Sequence, residues 1–225
     1  MTQPITNTTP VKTNAYVQVE GGKNNYVNDQ ELSLGATLGG QIQKGGTYAN
    51  AEVGYGTTFK AKAEVGHEFN IGNNMGLELS GNAEYKKSTM PTVFHSSLTV
   101  GRNSIEGVDK WHDGLKKAGI SLMMTFQGKK GNVKVGAEVG TYSNSAPNIS
   151  KNYTINDDTT LIVDGNETII RESYTADISY NGKKSGENYI TPKISAELNL
   201  GKKGHWSAVA NANVFGGNAG IKYTF

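Results

Sequence analysis

Along most of this chain apolar and polar side chains trade places at every step. Leu32, Leu34, Ala36, Leu38 and Ile42 share one parity, while Ser33, Thr37, Gln41 and Gln43 share the other. A period of two is the mark of a β-strand with one apolar face. From 47 to 71 the odd positions stay apolar (Ala49, Ala51, Val53, Tyr55, Phe59, Ala61, Ala63, Val65, Phe69), and the even ones carry Lys60, Lys62, Glu64 and Glu68. The phase runs unbroken through Gly56-Thr57-Thr58, so the pattern fits one tall strand or two strands turning there. Met75, Leu77, Leu79, Ala83 and Tyr85 then oppose Glu78 and Glu84. Val133, Val135, Ala137 and Val139 oppose Lys134 and Glu138; Tyr174, Ala176, Ile178 and Tyr180 oppose Asp177; Ile190, Ile194, Ala196 and Leu198 oppose Lys193 and Glu197. No segment holds a helical period; Lys110 to Ala118 allows at most one turn of helix.

Short polar turns punctuate the strands, as at Lys44-Gly45-Gly46, Gly72-Asn73-Asn74 and Gly128-Lys129-Lys130-Gly131. Residues 1–11, rich in Thr, Asn and Pro, predict a flexible arm. Residues 12–225 predict a single all-β domain of about twelve strands, with ten to fourteen as the range. Two strand sets give that number. Taking 47–71 as one strand and 153–163 as another places the long loops at 21–29, 103–117, 143–152 and 181–188 on one side. Splitting 47–71 and treating 153–163 as loop puts two long loops on the other side. The first set is preferred for a closed barrel, because it gathers the long loops at one rim.

Composition narrows the class. The chain has 225 residues, 29 of them Gly, and an apolar fraction of 36%. A domain that turns only one face of each strand to an apolar medium needs no more. A net charge of +2 makes no case for a nucleic-acid partner, and the absence of cysteine fits an oxidising compartment. No apolar run approaches the roughly 20 residues of a membrane-spanning helix. Met1 to Asn7 has neither the basic region nor the apolar core of a secretion signal, so a barrel of this kind is expected to have lost its leader.

The last eight residues, Asn218-Ala219-Gly220-Ile221-Lys222-Tyr223-Thr224-Phe225, form an amphipathic strand that ends on an aromatic. Asn218, Gly220, Tyr223 and Phe225 fill the spacing of the carboxy-terminal assembly signal of bacterial outer-membrane β-barrels, which this segment resembles. The resemblance implies a closed antiparallel up-and-down transmembrane barrel in the bacterial outer membrane. Its partners would be outer-membrane lipids and the barrel assembly machinery that reads the last strand.

If the apolar face meets lipid, the polar face lines the lumen, and the expected lining is Lys60, Lys62, Glu64, Glu68, Glu78, Glu84, Lys134, Glu138, Asp177, Lys193, Glu197 and Lys222. Such charges are costly in hydrocarbon and must face water or one another. Two interiors satisfy that: a cross-braced one, or a narrow aqueous pore. Tyr55, Phe59, Phe69, Tyr85, Phe94, Phe126, Tyr180, Tyr189, Trp206, Tyr223 and Phe225 are expected at the two membrane interfaces. A soluble barrel with its apolar face inside has the same alternation and stays open as an alternative.

No phosphate loop, dinucleotide fingerprint, zinc spacing or nucleophile elbow occurs, and no cofactor or metal is expected. His67 falls on the apolar parity near a strand end, as an interfacial residue would. His95 and Ser97 share one side of a strand, an arrangement that resembles the His-x-Ser pair of outer-membrane lipid hydrolases, with Leu98 where those enzymes place Asn. The leading expectation is a non-enzymatic small porin, or a surface protein whose outer loops contact solutes, host or phage. An autotransporter translocator is the second reading and a lipid hydrolase the third.

Overall fold

The computed structural model describes residues 9–24, 32–144, 146–163, 166–181, 187–201 and 205–225. The expected arm as far as residue 8, most of the 21–29 and 181–188 loops and the Lys202-Lys203-Gly204 turn lie outside the described residues. Val11 already opens the first strand.

Fourteen strands follow in order: β1 (Val11–Asn24), β2 (Leu32–Lys44), β3 (Thr47–Gly56), β4 (Thr58–Gly72), β5 (Met75–Ser88), β6 (Thr92–Val100), β7 (Asn103–Trp111), β8 (Gly114–Gly128), β9 (Gly131–Asn144), β10 (Ile149–Val163), β11 (Asn166–Tyr180), β12 (Glu187–Asn199), β13 (Trp206–Asn213) and β14 (Gly216–Thr224). Ten close into an antiparallel barrel in the order β1-β14-β13-β12-β9-β8-β5-β4-β3-β2. The other four make two hairpins, β6–β7 and β10–β11. Contacts divide the chain into two compact units, the barrel and the pair of hairpins.

The expectation of one tall strand over 47–71 is corrected: β3 and β4 are two strands, and Thr57 N–H donates to the Leu34 carbonyl where the chain reverses. Directly opposed residues of an antiparallel pair face the same side. Val53 opposes Ala61, so the turn leaves no mark on the alternation. The 103–117 loop and its turn of helix are corrected too. Residues 103–111 pair with β6 as β7, and Lys116 and Lys117 belong to β8. Between Asn103 and Trp111, polar residues stand on both faces (Ser104, Glu106, Asp109, Lys110), which erases the apolar stripe by which a strand is read.

The barrel is polar inside and apolar outside. Leu38 is 63% exposed and Ile190 81%, whereas Ser121 and Thr191 are wholly buried. The closing strand seals on the first, with Tyr16 opposite Thr224 and Asn24 opposite Gly216. Along that stretch the seam leaves no strand edge open, as a medium without water requires. Aromatic side chains gather near both rims of the exterior: Tyr55, Phe59 and Tyr85 at one, Phe69, Phe126, Trp206, Tyr223 and Phe225 at the other. On β4 the two rims are marked by Phe59 and Phe69. Ten steps of about 3.4 Å in a strand tilted by about 40° rise roughly 26 Å, the height of an outer-membrane apolar band. Tyr189 is not in either girdle; it is buried in the lumen. Phe94 and Tyr180 belong to the hairpin unit, where their rings lie 5.6 Å apart.

Both hairpins are spliced into the barrel at the same rim. β5 and β9 end there, and β8 and β12 start there. The opposite rim carries short turns such as Lys129-Lys130. Long connections at one rim and tight turns at the other are the asymmetry of an outer-membrane barrel.

Within the second unit polarity is conventional. Tyr153 and Ile155 of β10 are buried, and the Tyr153 hydroxyl lies 2.6 Å from that of Ser96 on β6. Tyr180 stacks 4.8 Å from Trp111, and Lys151 pairs with Asp109 at 3.1 Å. Gly107 is required here, since a Cβ at that position would stand 2.1 Å from the Tyr153 hydroxyl oxygen.

Candidate functional site

The lumen is where the barrel concentrates its chemistry. The inward parity that makes each strand half-polar brings acids and bases of different strands to one height. At the centre is Glu138 on β9, 1% exposed. Its carboxylate accepts from Lys117 of β8 at 2.9 Å and Lys193 of β12 at 3.1 Å. The Tyr189 hydroxyl at 2.5 Å and the Asn82 amide and Ser121 hydroxyl, both at 3.0 Å, complete the shell. Five donors from three strands, β5, β8 and β12, thus converge on one acid. Lys117 also reaches Glu84 at 3.5 Å, and Glu84 takes Lys86 at 2.9 Å.

A second brace crosses the opposite side. Lys60 of β4 reaches Glu20 of β1 at 2.5 Å, passing inside β2 and β3, and stands 3.7 Å from Glu52. Glu20 also accepts from Thr37 at 2.9 Å, from Gln18 at 2.8 Å and from Asn218. Lys62 pairs with Glu64 at 2.7 Å, Lys134 pairs with Glu78, and Lys222 pairs with Glu197 at 2.5 Å. Glu68, nearer the short-turn rim, accepts from Gln127 at 3.3 Å.

Tyrosines carry these networks across the barrel wall. Tyr16 lies flat over Gly39 of β2 and donates to Glu52 of β3 at 2.6 Å; a Cβ on Gly39 would stand 2.3 Å from the ring. Tyr48 lies over Gly66 in the same way and donates to Glu64 at 2.8 Å. Toward the hairpin-bearing rim, Leu115 is wholly buried against Tyr142 and Phe215. The Phe215 ring is 4.8 Å from Tyr189, and the Lys117 ammonium sits 5.4 Å from its centroid. The space left inside is a cavity of about 230 Å³ lined by Glu20, Glu52, Lys60, Lys117, Glu138 and Lys193 among others.

Eleven of the twelve lining residues expected from sequence stand on strands of the barrel, on the inward parity. Asp177 does not: it belongs to β11 in the hairpin unit, exposed and bonded by Asn152 at 2.6 Å. Of the four residues expected to form an assembly signal, Asn218 and Gly220 face the lumen on β14, while Tyr223 and Phe225 face outward, 5.1 Å apart ring to ring. Lys117 falls in the loop that the sequence predicts over 103–117, and a lone Tyr on a polar parity, as at Tyr16 and Tyr48, carries no pattern of its own. Their signal is a Gly on the facing strand. His67 is exterior, bonded to Thr47 at 2.8 Å and tilted over Phe69 at 4.4 Å. His95 and Ser97 share the exposed face of β6; the buried hydroxyl of that strand is Ser96.

No family model and no curated protein matches this chain. Solved structures similar to it include the translocator domain of the autotransporter NalP from Neisseria meningitidis, at 13% identity over 98% of this chain and 88% of that one, with a TM-score of 0.40. The outer membrane protease OmpT from Escherichia coli is similar at 10% identity over 95% and 96%, with a TM-score of 0.42. The KdgM porin is similar at 9% identity over 93% and 99%, with a TM-score of 0.34. Likenesses this distant assign no activity to the chain.

Proposed function

We propose that the chain is an outer-membrane β-barrel whose interior is braced shut and whose work is done by the hairpins it carries at one rim. The exterior supports the lipid setting: exposed Leu, Val and Ile form a band bounded by aromatics about 26 Å apart. Surfaces that greasy are not kept by a monomer in water. Its partners in this reading are outer-membrane lipids on the barrel wall and the assembly machinery at β14.

Glu138 carries the choice between a pore and a brace. A conducting lumen keeps its charges hydrated and loosely held, because an ion must bind weakly enough to leave. Glu138 instead is held by two ammonium groups and three neutral donors, and aromatic rings stack beside it. The barrel is then a surface protein that presents hairpins, not a passive channel. Recording in planar bilayers tests this. The reading expects no steady ohmic current from the purified protein, with current appearing when Glu138, Lys117 and Lys193 are together replaced by Ser. Stable single-channel steps from the unaltered protein would restore the porin reading.

A further inference from the structure

We infer that the β10–β11 hairpin is a docking surface for an extended cationic polypeptide segment, with a basic side chain seated between Asp157 and Glu172. The inference rests on the reading that the hairpins are the working part of the protein, and it names what they would hold.

The first ground is the register. Asp157 stands directly opposite Glu172 on one face of the hairpin. Like charges directly opposed across a strand pair are destabilising. One step further along, on the other face, Asp158 opposes Arg171 and the two form an ion pair at 3.7 Å. Among the described residues the hairpin therefore compensates one acid and leaves the adjacent pair of acids without an ion-pair partner. The groups that do reach that pair are neutral: Asn103 donates to Asp157 at 3.3 Å and Tyr174 donates to Glu172. That second bond raises the pKa of Tyr174 above the ordinary phenol value. Arg102, in the adjacent β6–β7 turn, makes no ion pair within 4 Å among the described residues.

The second ground is charge at larger scale. Residues 149–180 hold six Asp and Glu against Lys151 and Arg171, a net −4, in a chain that is +2 overall. The field around this hairpin selects a basic partner and repels an acidic one. The third ground is the edge. Among the described residues β10 and β11 form a two-stranded sheet; β10 meets β6 through Tyr153, and β11 meets β6 and β7 through Tyr180 at its end. No strand among the described residues pairs with the outer ladder of β11, which leaves it open to an added strand, a recognition mode in which backbone bonds supply affinity and alternate side chains supply choice. Exposed Ile162, Ile169 and Ile170 lie near the turn. They suit aliphatic side chains interleaved with the basic ones.

The test uses the full-length protein in detergent micelles and a fluorescein-labelled peptide of alternating Arg and Val, with a Glu-for-Arg peptide as control, read by anisotropy. The Arg peptide binds and the Glu peptide does not. The double variant Asp157→Asn with Glu172→Gln, nearly isosteric and still capable of hydrogen bonding, weakens binding by about tenfold or more, and raised salt does the same. Asp158→Asn, on the opposite face, changes affinity by less than about threefold. Equal binding of both peptides, full binding by the double variant, or no binding at all overturns the inference. Conductance of the same preparation separates the two readings. A silent barrel that ignores the peptide rejects the docking surface alone, and a conducting barrel that binds it rejects the brace alone.

Discussion

Val139 and Ile155 are β-branched residues in the middle of strands that follow one another in the chain, and their surroundings are opposite. Val139 is 51% exposed beside a Glu138 that is 1% exposed; Ile155 is 4% exposed beside polar neighbours that reach solvent. Both strands obey the same alternation. What differs is the medium on each face. In the barrel the apolar parity points outward and the ionic parity is enclosed, the arrangement stable only when the outside is hydrocarbon. In the hairpin unit the apolar parity is enclosed and the polar one points outward, as water demands. The chain is thus two solvent environments written in one periodic code, and the comparison can be broken in four ways.

The largest effect belongs to Glu138→Ala. It strands Lys193 in the lumen and leaves Lys117 only Glu84 at 3.5 Å, and loss of one partner of a buried ion pair costs about 3–5 kcal/mol. Urea unfolding of the lipid-reconstituted protein in a Trp111→Phe background, followed by the fluorescence of Trp206, measures it. The same truncation at Asp109, whose partner Lys151 is partly exposed, is expected to cost no more than about 1 kcal/mol. Equal costs would erase the distinction between lumen and hairpin. Next comes Val139→Arg. A cation on the lipid face costs about 2–4 kcal/mol near mid-bilayer, whereas Ile162→Arg in the hairpin stays within about 0.5 kcal/mol. If the two arginines cost the same, the wall of the barrel does not face lipid.

A smaller effect sharpens the second unit alone. Tyr153→Phe removes the hydroxyl contact with Ser96 and costs about 1 kcal/mol. It is expected to speed amide exchange in β6, β7 and β10 while leaving β1 and β14 unchanged. The smallest is Arg171→Ala, which opens an exposed ion pair with Asp158 worth at most about 1 kcal/mol. A stability change beyond that would mean that the hairpin relies on its solvated face.

Much of the barrel was legible because each strand exposes one face to a uniform medium. Leu32 to Ile42 needs only parity to be placed, and so do Lys134 and Glu138. The final strand was legible for the same reason, and its pairing with β1 follows from closure. Three things were hidden. The turn at Thr57 preserves parity, so β3 and β4 read as one strand. The hairpin strand β7 carries polar residues on both faces and so shows no apolar stripe, and the loop its sequence predicts extends over Lys117. Asp177 obeys the alternation of a lumen residue, yet it sits in a hairpin outside the barrel, because parity names a face and not the sheet that owns it. The brace itself depends on which strands are neighbours: β5 with β8 and β9 with β12, pairings that skip over the inserted hairpins. Without them Glu84, Lys117, Glu138 and Lys193 are four unrelated charges.

The most direct measurement is oxygen accessibility along β9. The chain has no cysteine, so single cysteines at 133, 134, 135, 137 and 139 can each carry a nitroxide in the reconstituted protein. Labels at Val133, Val135, Ala137 and Val139 are expected to show the high oxygen and low nickel-chelate collision rates of a bilayer interior, and a label at Lys134 to show low values of both. A flat profile, or one with the parity reversed, would contradict the account.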